Sequence, residues 1–196
     1  DRFVAVTYSA GRDSTACLEL LSRVQPRYRF RLGAFLYVFP RHRYPEELLR
    51  RIESYWRPRL DAFAIRRSDE DDSVLADAAA LGDDPCRPCQ DLRKRALPEV
   101  FSLAKVDPPE TVIASGHSLW DLAGYALSRF AQQELNEVAD APAEAARNRF
   151  LEVSQRFYAF LDMPEGYSVF RPMLCLSDED IEEVCAAVSS PLVGVP

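Results

Sequence analysis

Short continuous apolar runs alternate along the chain with stretches in which apolar residues recur at helical spacing. An uninterrupted apolar run is typical of a strand buried on both faces of a parallel sheet. Five runs predict strands, at residues 3–6, 32–39, 60–65, 111–114 and 167–170. Helical spacing predicts helices at 16–24, ended by Gln25-Pro26, from Pro45 to Ile52, at 89–105 and at 119–138. A loop around a short helix is expected at 68–84, and a last helix is capped by Ser177 with Asp180.

This alternation predicts the fold class. Strands that alternate with helices form right-handed crossovers, which give a parallel sheet covered on both faces. We therefore predict an α/β, Rossmann-like, parallel five-stranded sheet with helices on both faces, built as a single nucleotide-binding domain over residues 1–196. Ligands of such sheets lie at the carboxyl ends of the strands. The turns after the first, second and fourth strands are thus the candidate site.

Composition narrows the class of protein further. Hydrophobic residues make up 47% of the 196 residues, and no apolar run reaches the roughly 18 residues of a membrane span. We expect a cytoplasmic protein with no membrane partner. The net charge of −7 argues against non-specific binding to nucleic acid. However, residues 1–67 carry a net charge of +7 and residues 68–196 a net charge of −14. The positive first third indicates either that an anion binds there or that arginine codons are simply common.

The turn after the first strand has the composition of a phosphate-binding loop. Residues 9–15 read Ser-Ala-Gly-Arg-Asp-Ser-Thr. Small residues let the backbone approach an anion, hydroxyls donate hydrogen bonds, and the following helix directs its amides to the same spot. An ordinary strand-to-helix turn with an Asp or Ser cap would look similar.

Four segments, in order, resemble one known family. The sequence through residues 9–14 resembles the Ser-Gly-Gly-x-Asp-Ser fingerprint of the PP-loop ATP pyrophosphatases, the adenine nucleotide alpha hydrolase-like superfamily. Cys-Arg-Pro-Cys at 86–89 with the helix after it, Gly-His-Ser-Leu-Trp-Asp at 116–121 and Arg-Pro-Met-Leu at 171–174 are similar to its tRNA 2-thiocytidine synthetase and cytosolic tRNA thiolation branch. The matches span nearly the whole chain.

The resemblance implies a chemistry and a set of site residues. Members bind ATP and Mg²⁺, transfer AMP to a substrate oxygen, release pyrophosphate and let a sulfur nucleophile displace the AMP. The implied catalytic residues are Asp13, Cys86 and Cys89. The implied nucleotide-binding residues are Ser9, Ala10, Gly11, Arg12, Ser14, Thr15, Val38, Gly116, His117 and Asp121.

Two residues depart from the family pattern. Ala10 stands at a fingerprint position that is usually glycine, and its Cβ is costly if the position needs a positive φ. Trp120 stands where the first of two paired carboxylates is expected, which leaves Asp121 alone to bind magnesium. Catalysis is therefore less well supported by the sequence than ATP binding.

Cys86 and Cys89 are the candidate sulfur and metal residues. They precede a predicted helix beside several basic residues, which favours the thiolate. In the resembling enzymes this pair helps to hold a 4Fe-4S cluster with a third cysteine, which we expect beyond Pro196, with Cys175 as the internal substitute. The alternative is a pair of incidental thiols. No second cysteine pair supports zinc, and Cys17 and Cys185 are expected in the core.

Two histidines and one arginine complete the candidates. His117 follows the fourth strand and is the better functional histidine, although a backbone-bonded histidine fits equally, whereas His42 is expected on an exposed loop. Arg171 either contacts substrate or pairs with an acid.

Three functions remain open at this point. The leading hypothesis is an ATP-dependent sulfurtransferase acting on a tRNA base. The alternatives are an ATP pyrophosphatase that uses ammonia on a small molecule, and an ATP-binding module without catalysis. The candidate partners are tRNA, a sulfur-donor protein or sulfide, and a second copy of the chain.

Overall fold

A computed structural model describes residues 2–41, 44–81, 86–135 and 153–192. The strands are β1 Phe3–Tyr8, β2 Arg31–Val38, β3 Ala62–Arg67, β4 Thr111–Ala114, β5 Phe160–Asp162 and β6 Ser168–Phe170. The helices are α1 Arg12–Tyr28, α2 Glu46–Trp56, α3 Ser73–Leu81, α4 Cys86–Ala104, α5 Leu119–Leu135 and α6 Asp178–Ala186. Within these ranges, no helix is long and apolar enough to cross a membrane.

The strands form one sheet in the order β3-β2-β1-β4-β6-β5. Every neighbouring pair is parallel except β5 and β6, which are antiparallel. The α/β class and the parallel Rossmann-like sheet are confirmed, but the expected count of five strands is wrong. The missed strand, β5, has only three residues, and two of them are exposed, so it carries no long apolar run.

Two hydrophobic layers cover the sheet. Side chains of α1, α2 and α6 pack on one face, around the fully buried Leu18, Ile52 and Ile181. Side chains of α4 pack on the other face, with Leu92 and Val100 against Phe35. Helices therefore cover both faces, as the alternation of elements predicts.

Helix α1 runs past the proline that was expected to end it. Pro26 lies inside the helix, which ends at Arg29 with a φ of 53° and a hydrogen bond of 2.8 Å from the Arg29 N–H to the Gln25 carbonyl. The Gln25 side chain donates to Phe30 O at 3.1 Å and to Asp61 Oδ2 at 2.7 Å. These tertiary bonds hold the last turn in place, although Pro26 lacks one helical hydrogen bond.

One buried polar cluster ties α2 and α1 to the central strand. Tyr8 is fully buried at the end of β1. Its hydroxyl oxygen accepts hydrogen bonds from Trp56 Nε1 at 3.1 Å and from Thr15 Oγ1 at 3.4 Å. Because Thr15 belongs to the candidate phosphate loop, this cluster fixes the start of α1 to the core.

Replacing Tyr8 with phenylalanine tests that cluster. Tyr8→Phe leaves the buried Trp56 indole N–H unpaired, so we expect the free energy of unfolding to fall by about 1–3 kcal/mol. Tyr28→Phe is the matched control, because Tyr28 is 65% exposed. Chemical denaturation measures both variants. Equal stability of the two would show that the Tyr8 hydroxyl does not anchor the core.

Candidate functional site

The turn from β1 to α1 is held together by hydroxyl groups. Ser14 Oγ accepts a hydrogen bond from Ser9 N–H at 3.2 Å and donates to Gly11 O at 3.1 Å. The Ser9 and Ser14 hydroxyl oxygens lie 3.0 Å apart. Gly11 caps α1 in an extended conformation without a side-chain hydrogen bond. The first intrahelical bond of the turn runs from Thr15 N–H to Gly11 O.

It follows that the first amides of α1 are open to a ligand. The N–H groups of Arg12, Asp13 and Ser14 precede that first bond, and an α-helix supplies no backbone partner for them. Together with the helix dipole they form a site for an anion at the carboxyl edge of the sheet. The geometry thus fits a phosphate group at residues 9–15.

Ala10 has the positive φ that makes its Cβ costly. Its φ is 57°, in the left-handed region that favours glycine, and its side chain is fully buried. The left-handed conformation costs roughly 1–2 kcal/mol for a residue with a Cβ. Burial of one methyl group returns about 0.8 kcal/mol. Packing therefore offsets part of the strain, and the loop keeps its bend without glycine.

The turn after β4 lies directly against the phosphate loop. A Cβ built on Gly116 would lie 3.0 Å from the backbone carbon and oxygen of Asp13 and 3.0 Å from Ser14 Cα. Only glycine lets the two turns approach this closely without displacing backbone. Residues after β1 and β4 are therefore brought together, as their places at one sheet edge predict.

Asp121 has a structural partner within its own turn. Its Oδ2 accepts hydrogen bonds from Ser118 N at 2.7 Å and from Ser118 Oγ at 3.0 Å, and Asp121 N donates to Ser118 Oγ at 3.2 Å. This reciprocal cap starts α5. Trp120, at the position of the missing carboxylate, is 67% exposed.

Asp13 lies close enough to Asp121 for the negative charge of Asp121 to act on it. Burial raises the pKa of Asp13, the Arg12 guanidinium opposes that rise, and the negative charge of Asp121 adds to it. Mg²⁺ in nucleotide sites is commonly held by one or two carboxylates together with substrate phosphates. The two side chains fit that role at the edge of the phosphate loop.

Arg12 does not extend freely into the anion site. Its guanidinium forms ion pairs with Asp178 at 3.3 Å and Glu182 at 2.9 Å of α6, and with Asp13 at 3.3 Å. Cys185 Sγ on the same helix lies 3.5 Å from Arg12 O. Arg12 therefore fastens the loop to α6, a contact that sequence spacing does not reveal.

His117 contacts Ser115 Oγ through Nδ1 and faces several charges. Its ring reaches solvent, but the protein around it desolvates it enough to lower the pKa of His117. Asp121 opposes this effect, whereas the positive charges of Arg171 and Arg156 add to it. The imidazole is therefore neutral at pH 7 and acts as a hydrogen-bonding group.

Arg171 lies at the end of β6, next to the same edge. Its Nη1 donates to Tyr158 O at 2.7 Å, so it is bonded to backbone. Burial lowers the pKa of Arg171, and the nearby Arg156 lowers it further. Arg156 itself stacks over the Tyr125 ring at 4.0 Å. Two guanidinium groups thus stand beside His117, and only Arg171 was a sequence candidate.

Tyr44 links the cysteine region to the phosphate loop, a connection that sequence reasoning missed. Its hydroxyl donates to Ser9 O at 3.1 Å. Burial raises the pKa of Tyr44, Arg93 opposes the rise and the half-buried Cys89 adds to it, so Cys89 lies close by. No signal in the sequence marks Tyr44 as a contact of the phosphate loop.

The remaining candidates lie apart from the loop or outside the described part. Val38 ends β2 with its carbonyl already bonded to Ser68 N at 2.9 Å. Cys17 is fully buried, as expected, and burial raises the pKa of its thiol to about 12. Cys175 is exposed. The side chains of His42 and Cys86 lie outside the described residues.

A cluster site is not assembled by the side chains that the structure describes. Across these side chains, no three residues of His, Cys, Asp or Glu lie close enough together to hold a metal ion. Because the Cys86 side chain is not among them, the cluster ligands implied by the resemblance stay a prediction.

Comparison with known proteins identifies the fold. No family model matches the sequence, and no curated protein matches it significantly. The U34-tRNA thiolase NcsA from Methanococcus maripaludis, solved with its [4Fe-4S] cluster, matches all of this chain at 16% identity and a TM-score of 0.68. The chain spans 59% of the length of that protein. It has the PP-loop fold.

A second solved structure supports the same fold. NAD+ synthetase from Burkholderia pseudomallei matches all of this chain at 14% identity, with a TM-score of 0.51 and 70% of its own length covered. At such identities the likeness concerns the fold.

The contact at Gly116 yields a direct test. Gly116→Ala crowds the β4 turn against the backbone of Asp13 and Ser14, so we expect affinity for ATP, measured by calorimetry, to fall by up to about tenfold. Gly124→Ala is the control, because nothing lies within 4 Å of its added Cβ, and alanine favours α5. Unchanged affinity in Gly116→Ala would show that the approach of the two turns does not shape the site.

Proposed function

We propose that this chain is an ATP-dependent enzyme of the PP-loop type that adenylates its substrate, releases pyrophosphate and then transfers sulfur, with a tRNA base as acceptor. The observation that carries the proposal is the loop at residues 9–15, where the first amides of α1 have no partner within the helix. Gly116 packs against its backbone, and Asp13 lies within it. The fold shared with a U34-tRNA thiolase supports the choice of acceptor.

The first step would be adenylation at the phosphate loop. A substrate oxygen attacks the α-phosphorus of ATP, its new P–O bond forms, and the bond to pyrophosphate breaks. The amides of Arg12, Asp13 and Ser14 are placed to stabilise negative charge on the phosphates. Asp13 and Asp121 are placed to hold Mg²⁺, which neutralises phosphate charge when bound. Neutral His117 can hydrogen-bond a phosphate or substrate oxygen without repelling its cationic neighbours.

The second step would replace the adenylated oxygen with sulfur. A sulfur nucleophile attacks the activated carbon, the C–O bond breaks, and AMP leaves with the oxygen. Cys89 lies near the loop through Tyr44, and Cys86 is three residues before it at the start of α4. One of these thiols can accept the outer sulfur of a donor protein's persulfide, and after that sulfur has attacked the activated carbon, the other thiol breaks the S–S bond and a disulfide forms. Sulfide as donor would instead attack the activated carbon directly. A reducing cytoplasm, which keeps thiols free, is the compartment that suits this chemistry.

Asp13 is the residue on which the first step depends. In Asp13→Asn we expect release of pyrophosphate, measured by a coupled phosphate assay, to fall by roughly 10²–10³-fold, because the carboxylate that positions magnesium is lost. Asp77→Asn is the matched control on the exposed surface of α3. If Asp13→Asn released pyrophosphate at the wild-type rate, the assigned phosphate site would be wrong.

The cysteines separate sulfur transfer from the other functions. In the double variant Cys86→Ser, Cys89→Ser we expect adenylation to persist and sulfur incorporation into tRNA, followed by mass spectrometry of nucleosides, to disappear. Retained adenylation serves as the internal control for folding. A double variant with full product formation would instead favour ammonia as nucleophile. ATP binding by the wild type without any AMP would favour a module without catalysis.

A further inference from the structure

The exposed face of α2 carries arginines at helical spacing. Glu47, Arg50, Arg51 and Ser54 recur at intervals of three and four residues, on the side of the helix opposite its buried residues. These side chains are solvent-exposed. They lie away from the phosphate loop, and nothing in the proposed reaction uses them.

A groove of about 500 Å³ runs along this face. Arg50, Arg51 and Arg59 line it together with Tyr55, and Ser189 lies on its other side. The Arg59 guanidinium stacks over the Tyr55 ring at 4.0 Å and donates to the Tyr55 carbonyl. We call this feature the basic groove. Its lining combines guanidinium groups, an aromatic ring and hydroxyls.

The acids of α2 neutralise the groove only in part, since Glu47 is the one of them that lines it. Glu46 pairs with Arg67 at 2.7 Å and Glu53 pairs with Arg57, both outside the groove. Glu47 pairs with Arg50 at 3.0 Å. Within the described part of the chain, Arg51 has no carboxylate partner. The groove therefore keeps surplus positive charge.

Helix α1 adds to this surplus. Arg23 lies close enough to Tyr55 for its charge to act on the Tyr55 hydroxyl, and it too has no carboxylate partner among the described residues. The intervening acid, Glu19, is buried and accepts the Tyr55 hydroxyl hydrogen bond at 2.6 Å. Arg23 thus adds positive charge beside the basic groove, and we call the two together the α1–α2 layer.

From this layer we infer that the basic groove, with Arg23 beside it, binds the sugar–phosphate backbone of the substrate RNA. The inference rests on the proposed function for the identity of the RNA. Arg50 and Arg51 lie in the middle of α2, Arg59 follows the end of the helix and Arg23 belongs to α1, so the charges come from separate segments and suit successive phosphates better than a single small anion. Helix α2 begins just after the carboxyl edge of the sheet, so a bound strand would lead away from the phosphate loop.

The negative charge of the other surfaces directs a polyanion to the α1–α2 layer. The chain as a whole carries −7, and residues 68–196 carry −14. Helix α6, which packs on α1, places Asp178, Glu179 and Asp180 in its first turn. A polyanion is repelled by those surfaces and attracted to the α1–α2 layer, which orients it before the base reaches the site.

A salt-dependent binding measurement tests the inference. Fluorescently labelled, unmodified tRNA transcript is titrated with wild type, Arg23→Gln/Arg51→Gln and Lys94→Gln/Lys105→Gln, and anisotropy is followed at several salt concentrations. The control pair removes two exposed charges from α4 and the turn after it. We expect the arginine pair to bind about tenfold more weakly, with a salt slope smaller by roughly 1.5–2, and the lysine pair to bind as wild type does.

Each other outcome overturns the inference. Equal losses in the two double variants would mean that binding is not localised to the α1–α2 layer. Absence of RNA binding by the wild type would leave the groove to another partner, such as an acidic protein. ATP binding measured on the same preparation separates the two proposals, because RNA binding without ATP binding would contradict only the proposed function.

Discussion

The approach of Gly116 to the backbone of Asp13 and Ser14 is the contact on which the site depends. It joins two turns that are about a hundred residues apart in sequence but adjacent at one edge of the sheet. β1 and β4 are hydrogen-bonded neighbours, so their carboxyl ends must meet. The absence of a Cβ lets the second turn pack against the first, which brings Asp121 and His117 close enough to Asp13 for their charges to interact.

Contacts with the core, with Tyr44 and with α6 stabilise that arrangement. Tyr8 and Thr15 fix the start of α1 to the core, Tyr44 holds the carbonyl of Ser9, and Arg12 fastens the loop to α6. Ala10 retains a left-handed bend because its methyl group is buried. The loop is therefore shaped by contacts from three sides, and the open amides are the part of it that these contacts leave for a ligand.

The sequence alone predicts much of this fold and the location of the site. Buried runs predict five of the strands, and Ser177 with Asp180 predicts the capping box that starts α6. The three-residue strand β5 is not predicted, because a short strand that is largely exposed has no long apolar run. The prediction that Pro26 ends the first helix is wrong because hydrogen bonds of the Gln25 side chain hold the helix beyond it.

Side-chain partners were harder to predict than backbone positions. Arg12 was expected to bind phosphate, but besides the adjacent Asp13 it pairs with two acids that lie 166 and 170 residues further along the chain. No local pattern encodes such a pair. Asp121 shows the reverse case, since Ser118 and Asp121 have the spacing of a capping box and also occupy a family motif. One residue can satisfy both patterns.

The central claim is that the loop at residues 9–15, after β1, binds the phosphates of ATP. The most direct measurement is a crystal structure of the protein with a non-hydrolysable ATP analogue and Mg²⁺. We predict phosphate oxygens within hydrogen-bonding distance of the amides of Arg12, Asp13 and Ser14, with the metal beside Asp13. Nucleotide bound elsewhere, with that bend unoccupied at saturating analogue, would contradict the account.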